Sequence, residues 1–146
     1  MGFLEVLFDC LFVKAGARHV IALEKDERFV PALKMLQEAA GGAEKMSVVL
    51  GDALLVDEAQ LLRQAQARTG EVHVVGNLPF AVSTELLLKW VRQVPRGSGL
   101  SEFGPVPMTL LFQKEVGERL CAQPGQKEFG RLSVMTQHVC AVRRER

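Results

Sequence analysis

The stretch Val72-His73-Val74-Val75-Gly76-Asn77-Leu78-Pro79-Phe80 constrains this chain more than any other. An apolar run of β-prone residues closed by Gly and Pro reads as a buried parallel strand, with an Asn-x-Pro-aromatic turn at its carboxyl end. Open α/β sheets bind their ligands at that end of the strands.

The rest of the chain repeats the theme of strand followed by helix. His19 to Leu23, Met46 to Leu50 and Met108 to Phe112 read as three further strands. After the first comes a helix with the stripe Phe29, Leu33, Leu36 and Ala40, with Pro31 in its first turn and Gly41-Gly42 closing it. A polar helix spans roughly Val56 to Ala67. Ser83 or Thr84 can cap a helix with the stripe Val82, Leu86, Leu87, Trp90, Val91 and Val94, stopped by Pro95. Gln113 to Ala122 is helical with Val116 and Leu120 inward, and Arg131 to Cys140 is helical as well. Gly97 to Pro107 and Pro124 to Phe129 read as loops. Four strands separated by helical segments, with no Asn-Gly hairpin signal, imply β-α units with right-handed crossovers. The expected fold class is α/β with a mostly parallel sheet.

Phe3, Val6, Leu7, Cys10 and Leu11 have helical spacing, with Glu5 and Asp9 on the other side, so Met1 to Lys14 reads as an amphipathic helix. It is too short and too acidic for a membrane span or a mitochondrial presequence, and no targeting segment is visible. With 146 residues, 48% apolar and 24% charged, the expectation is one domain over 1–146. A net charge of +1 gives no global basic field, so any nucleic-acid contact relies on local patches or on another segment. Cys10, Cys121 and Cys140 are odd in number and far apart, without zinc-like spacing, and read as reduced, half-buried thiols. His19, His73 and His138 lie in or beside apolar runs and read as satisfied core or edge histidines. No metal is assigned.

The chemistry that suits the Asn77 turn is transfer to the exocyclic amine of a nucleobase, whose lone pair is delocalised into the ring. The Asn77 side-chain oxygen and the Leu78 carbonyl would accept the amine's hydrogens and localise that lone pair. Pro79 stiffens the carbonyl before it. The base has to leave its stack, and Phe80 offers a face to hold it. The plain alternative is that Asn-x-Pro is a common turn opener. Glu24 and Asp52 follow the first two strands as Asn77 ends the third, so successive βα loops present polar groups on one rim. Glu24 suits the hydroxyls of a cofactor ribose, and Asp52 suits the adenine amine of the same cofactor. Each alone could equally be a helix cap or a solvated turn acid.

Taken together, VIALEKD, GDAL, VVGNLPFAVST, TLLFQKEVGERL and GRLSVMTQ resemble the S-adenosylmethionine-dependent rRNA adenine dimethyltransferases of the KsgA/Erm type, and within them the mitochondrial small-subunit branch. The likeness covers roughly Ala15 to Val142. It implies a Rossmann-like class I methyltransferase fold, with S-adenosyl-L-methionine as cofactor and small-subunit rRNA as partner. It also implies dimethylation of adjacent adenines in a hairpin of that rRNA, in the mitochondrial matrix. By the resemblance Glu24, Lys25, Asp52, Ala53 and Asn77 would contact the cofactor, and Asn77, Leu78, Pro79 and Phe80 would carry catalysis. Gln113, Lys114 and Glu115 would flank the substrate side.

The sequence departs from the family's pattern in carrying no strand leading into a G-x-G-x-G loop, since Gly2 and Gly16 are isolated. It also stops before the family's C-terminal helical RNA-binding domain. A chain truncated at both ends is therefore expected, with an incomplete sheet, weak or absent cofactor binding, and strands flanking the missing one left open to association. Beside the enzyme reading stands a second class: a non-catalytic RNA- or DNA-binding module acting with mitochondrial transcription or ribosome-assembly proteins.

Overall fold

A computed structural model describes residues 16–145; the helix expected over Met1 to Lys14, with Cys10, lies outside the described residues. The chain divides into two compact units, the first ending at Val56 and the second beginning at Asp57.

In the first unit, strand β1 (Val20–Glu24) leads through a 3-10 turn (Glu27–Phe29) into helix α1 (Val30–Ala39), and strand β2 (Met46–Leu50) follows. β1 and β2 pair in parallel, with Val20 opposite Met46 and Glu24 opposite Leu50. Because side chains alternate along a strand, Val20, Ala22, Met46 and Val48 share one face. That face packs on Leu33 and Leu36 of α1, with Met46 wholly buried at its centre. Pro31 sits in the first turn of α1, where its missing N–H leaves no bond unmade. The helix ends as expected at Gly41 and Gly42, whose φ values of 111° and 83° suit residues without a β-carbon. The Gly42 N–H donates to the Gln37 carbonyl at 2.8 Å.

The second unit runs α2 (Glu58–Gln64), β3 (Val74–Asn77), α3 (Ser83–Gln93), β4 (Met108–Leu111), α4 (Lys114–Cys121) and α5 (Arg131–Gln137). β3 and β4 are also parallel, with Val74 opposite Met108 and Asn77 opposite Leu111. Leu87 and Val91 of α3 and Leu120 of α4 form one core, against which Leu110 of β4 packs. Ala59, Val72 and Phe103 form another.

Every strand and helix read from the described sequence is present; Met46 to Leu50 is matched residue for residue and the others have shifted bounds. Val72 is not in β3; its side chain is buried against Ala59 and Phe103, and pairing begins at Val74. α2 is shorter than its polar pattern suggested, capped by Asp57, which accepts from the Gln60 N–H at 3.0 Å. α5 ends at Gln137 rather than Cys140.

Three expectations are corrected. Neither Ser83 nor Thr84 caps α3: Ser83 is already helical, and the Pro79 carbonyl accepts the N–H groups of Val82 and Ser83, both at 3.0 Å. Val82 stands at the capping position, and the Ser83 hydroxyl turns back to donate to the Phe80 carbonyl at 3.3 Å. Gly97 to Pro107 is not all loop, since Gly99–Phe103 forms a 3-10 helix that buries Leu100 and Phe103. Five residues are too few to show a helical period. Val94 leaves the α3 stripe because it begins a 3-10 turn that accommodates Pro95, and it is 38% exposed. The described strands form two parallel pairs, β1-β2 and β3-β4, in keeping with the incomplete parallel sheet expected from the sequence.

Candidate active site

In register, β1 and β2 finish together at Glu24 and Leu50, so the loops that follow leave from one rim. Glu24 is buried, and its Oε1 accepts from the Asp26 N–H at 2.7 Å while its carbonyl accepts from the Gly51 N–H at 2.8 Å. The carboxylate thereby stiffens the turn after β1. Capping of the 3-10 turn falls instead to Asp26, which accepts from the Arg28 N–H at 3.0 Å. Hydrogen bonding from the Arg28 guanidinium draws the Asp26 carboxyl down to about 2.

Lys25 points across to the second loop, where its Nζ donates to Asp52 Oδ2 at 2.6 Å. Asp52 Oδ1 accepts from the Leu54 N–H at 3.0 Å, and the Asp52 carbonyl accepts from Leu55 and Val56. Ala53 begins the turn that these bonds close. An open cleft of about 590 Å³ is lined by Glu24, Lys25, Asp26, Glu27, Arg28 and Phe29.

The second unit presents its own rim. Asn77 ends β3 half-buried, directly opposite Leu111 of β4. Leu78 turns inward and is buried, while Phe80 is 65% exposed. Gly76 makes that inward turn possible: a β-carbon there would lie 2.9 Å from Leu78 Cδ2 and 3.5 Å from Leu110 Cδ2. The sequence reading used this glycine only to close the strand, although a glycine inside a strand also signals close approach. Phe80 is held through its carbonyl, which accepts from the Ser83 hydroxyl at 3.3 Å.

The helix that starts from this turn is anchored at its far end by Glu58, another residue that sequence reasoning missed. Glu58 Oε1 accepts from Trp90 Nε1 at 2.8 Å and pairs with Lys89 Nζ at 2.7 Å, and its Oε2 accepts from Gln93 Nε2 at 3.3 Å. No local pattern announces a contact across 32 residues.

Gln113 stands two residues beyond Leu111 at the same end of the strand pair as Asn77, exposed, and its side chain makes no capping hydrogen bond to α4. Lys114 and Glu115 open α4 and are exposed; Lys114 pairs loosely with Glu118 at 3.9 Å. The structure thus brings together Glu24, Lys25, Asp52 and Ala53 in the first unit. In the second it brings Asn77, Leu78, Pro79 and Phe80 to the strand end beside Gln113.

Chemically, Glu24 offers a carboxylate with one oxygen tied to backbone, while its Oε2 accepts no hydrogen bond from the described residues. That donor-free oxygen suits a vicinal diol. Asp52 suits an N–H donor. The Asn77 turn combines neutral acceptors with an exposed aromatic face, a set that fits an unstacked base.

The remaining candidates are structural. His19 hydrogen-bonds the Glu44 carbonyl at 3.0 Å and Ser47 Oγ at 2.8 Å, and His73 hydrogen-bonds Thr109 Oγ1 at 3.0 Å. Cys121 and Cys140 are free and half-buried, and burial pushes the Cys140 thiol up. Among the described residues no helix is long and apolar enough to cross a membrane.

Comparison with known proteins bears on both rims. The profile of the family described as ribosomal RNA adenine dimethylase matches residues 10–144. Dimethyladenosine transferase 1, mitochondrial, of Xenopus laevis is 44% identical over 136 residues, covering 90% of this chain and 39% of that protein. The Homo sapiens protein of the same name is 43% identical over 136 residues, with the same coverage of both chains. Ribosomal RNA small subunit methyltransferase A of Caulobacter vibrioides is 45% identical over 131 residues, covering 90% of this chain and 44% of its own. The chain therefore spans less than half the length of these three relatives.

Proposed function

The chain belongs to the ribosomal RNA adenine dimethylase family, and from that premise we propose that it serves S-adenosylmethionine-dependent dimethylation of adjacent adenines in a small-subunit rRNA hairpin. The observation that carries the reading is the turn at the end of β3, where Asn77 is half-buried, Leu78 is packed inward and the Phe80 ring is left 65% exposed. A solvent-facing aromatic beside two amide acceptors has no use in a core and suits a flipped base.

When bound, S-adenosylmethionine supplies a methyl group activated by its sulfonium. Glu24 would hold the ribose hydroxyls through Oε2, with the Asp26 N–H on Oε1 keeping the carboxylate oriented. Asp52 would accept from the adenine amine, in the turn that continues through Ala53, with Lys25 at its edge. Asn77 Oδ1 and the Leu78 carbonyl accept the hydrogens of the target amine, which localises its lone pair. Phe80 stacks on the base, and Gln113 with Lys114 and Glu115 borders the substrate side. One family profile running through both units supports reading them as a single methyltransferase domain. The names of the frog and human relatives support a mitochondrial location, in the matrix where mitochondrial rRNA lies.

The test is transfer of labelled methyl from S-adenosylmethionine to a synthetic small-subunit rRNA hairpin with two adjacent adenines, read by digestion to nucleosides. Dimethyladenosine is the expected product, at the low rate that weak cofactor binding allows. Asn77→Ala is expected to abolish it while leaving S-adenosylhomocysteine affinity within a small factor. Transfer that survives Asn77→Ala removes the turn from catalysis, and absence of both transfer and cofactor binding favours a non-catalytic module.

A further inference from the structure

The face of the β3-β4 pair that carries Asn77 is apolar at its carboxyl end. Cα partners in a parallel pair project to the same side, and side chains alternate along each strand, so Val75 and Asn77 share one face with Thr109 and Leu111. Leu110 points the other way, against the core of Leu87, Val91 and Leu120. Toward the amino end of the Asn77 face the polar groups satisfy each other, with His73 Nε2 and Thr109 Oγ1 3.0 Å apart. At the carboxyl end Leu111 is 49% exposed and Val75 39% exposed. A scattered exposed leucine carries no message. Leu111 differs in its position, since it lies directly opposite Asn77, one strand spacing of about 4.8 Å away.

We propose that Leu111 is a specificity-determining residue for the second methyl transfer: it receives the N6-methyl group of the half-reacted adenine, with Val75 extending the apolar surface behind it. This inference rests on the reading of the Asn77 turn as the site of the target amine. In the first transfer the N6 lone pair forms the new N–C bond, the bond from that carbon to the sulfonium sulfur breaks with its electrons kept by sulfur, and N6 releases one of its two protons to water. The amine then carries one hydrogen and one methyl. Asn77 Oδ1 and the Leu78 carbonyl can accept two hydrogens, and a methyl group cannot stand in for the one that has gone. A second transfer therefore needs an apolar neighbour for the methyl beside the amide acceptor, while the remaining hydrogen still orients N6. The Leu78 side chain cannot serve, because it is buried inward, and the Phe80 ring is taken up by the face of the base. Leu111 stands where the methyl group points when N6 is held at Asn77.

Rates of methyl transfer to two synthetic hairpins, one unmodified and one already bearing N6-methyladenosine, are compared, and their ratio is the quantity read, so slow transfer suffices. Burying one methyl group against an apolar side chain is worth a factor of about four. Leu111→Asn, polar and close in volume, is expected to lower the rate on the monomethylated hairpin about four- to tenfold relative to the unmodified one, so that N6-methyladenosine accumulates. Leu111→Met, apolar again, is expected to restore the ratio. Loosening of the fold would lower both rates alike, and an unchanged ratio in Leu111→Asn overturns the proposal. Contact is read independently of transfer by NMR of the unaltered chain with the monomethylated hairpin, where an NOE between the N6-methyl protons and the Leu111 methyl groups is expected. NOEs from the base to Phe80 without one to Leu111 overturn this inference and leave the Asn77 turn as the amine site. No NOE from the base to either residue, together with no transfer, overturns the reading of the turn and this inference with it.

Discussion

The two units hold their functional groups by opposite means. In the first, the strand-end groups are charged, and each is oriented by a donor aimed at it: Asp26 N–H on Glu24, Lys25 and Leu54 N–H on Asp52. In the second, the strand end is a neutral amide, and the turn is shaped by backbone and volume. The Pro79 carbonyl accepts the N–H groups of Val82 and Ser83 where α3 begins, and the bare Cα of Gly76 leaves room for Leu78. A charged acceptor needs a partner to define its direction, since its electrostatic field is broad. A neutral carbonyl is directional already and needs only to be placed. The first rim is therefore sensitive to deletion of a polar partner and the second to a change of size.

The largest effect expected is on the packing beneath the first rim. Met46 is wholly buried between Ala22 and Leu33, and Met46→Ala should cost about 2 to 5 kcal/mol. Hydrogen exchange of the β1 and β2 amides measures it, and protection unchanged by the substitution would show that the unit does not rest on this cluster. Next comes Glu24→Ala, which removes a charged acceptor and should weaken S-adenosylhomocysteine binding by about 1.5 to 3 kcal/mol, read by calorimetry. Unchanged affinity would leave Glu24 as a turn-stiffening acid alone.

Gly76→Ala tests the second rim by size. Its methyl group meets Leu78 Cδ2 at 2.9 Å, so overpacking of about 1 to 3 kcal/mol is expected, together with a fall in methyl transfer larger than any change in cofactor affinity. Denaturation followed by Trp90 fluorescence, set beside the transfer assay, separates the two effects. Equal loss in both binding and transfer would break the contrast between the rims.

The smallest effect is electrostatic and exposed. Asp26 is drawn from its ordinary 3.8 to about 2 by hydrogen bonding from Arg28. A depressed carboxylate stabilises the fold at pH values above its unfolded value, and that contribution is lost as pH falls through about 2. Arg28→Ala should return the Asp26 carboxyl toward the usual carboxylate range in an NMR titration. A midpoint that stays near 2 would assign the shift to the turn backbone instead.

Much of this molecule was legible without coordinates because its punctuation is local. Pro31 could only enter α1 in the first turn, and Gly41-Gly42 could only leave it, since each position demands a backbone conformation that few residues adopt. The run from Met46 to Leu50 matched β2 residue for residue, and Asn77 fell at the end of β3 as the Gly-Asn-x-Pro sequence required. The errors were also local. Ser83 has the composition of a cap, but it stands one residue inside α3, after Val82, and its hydroxyl donates to the Phe80 carbonyl.

By itself the sequence determined the strand and helix order, the class of fold, and the residues that stand at the strand ends, because alternation, helical period and turn chemistry all act over a few residues. Only the tertiary structure decided which strands pair, that Lys25 reaches Asp52, that Glu58 ties Trp90, Lys89 and Gln93 together, and that the bare Cα of Gly76 leaves room for Leu78. Most of these are contacts between residues tens of positions apart, and even the short-range one at Gly76 depends on how the turn folds back. A side chain's identity states what it can bond, but which partner it meets is set by the register and packing of elements that the local pattern does not encode.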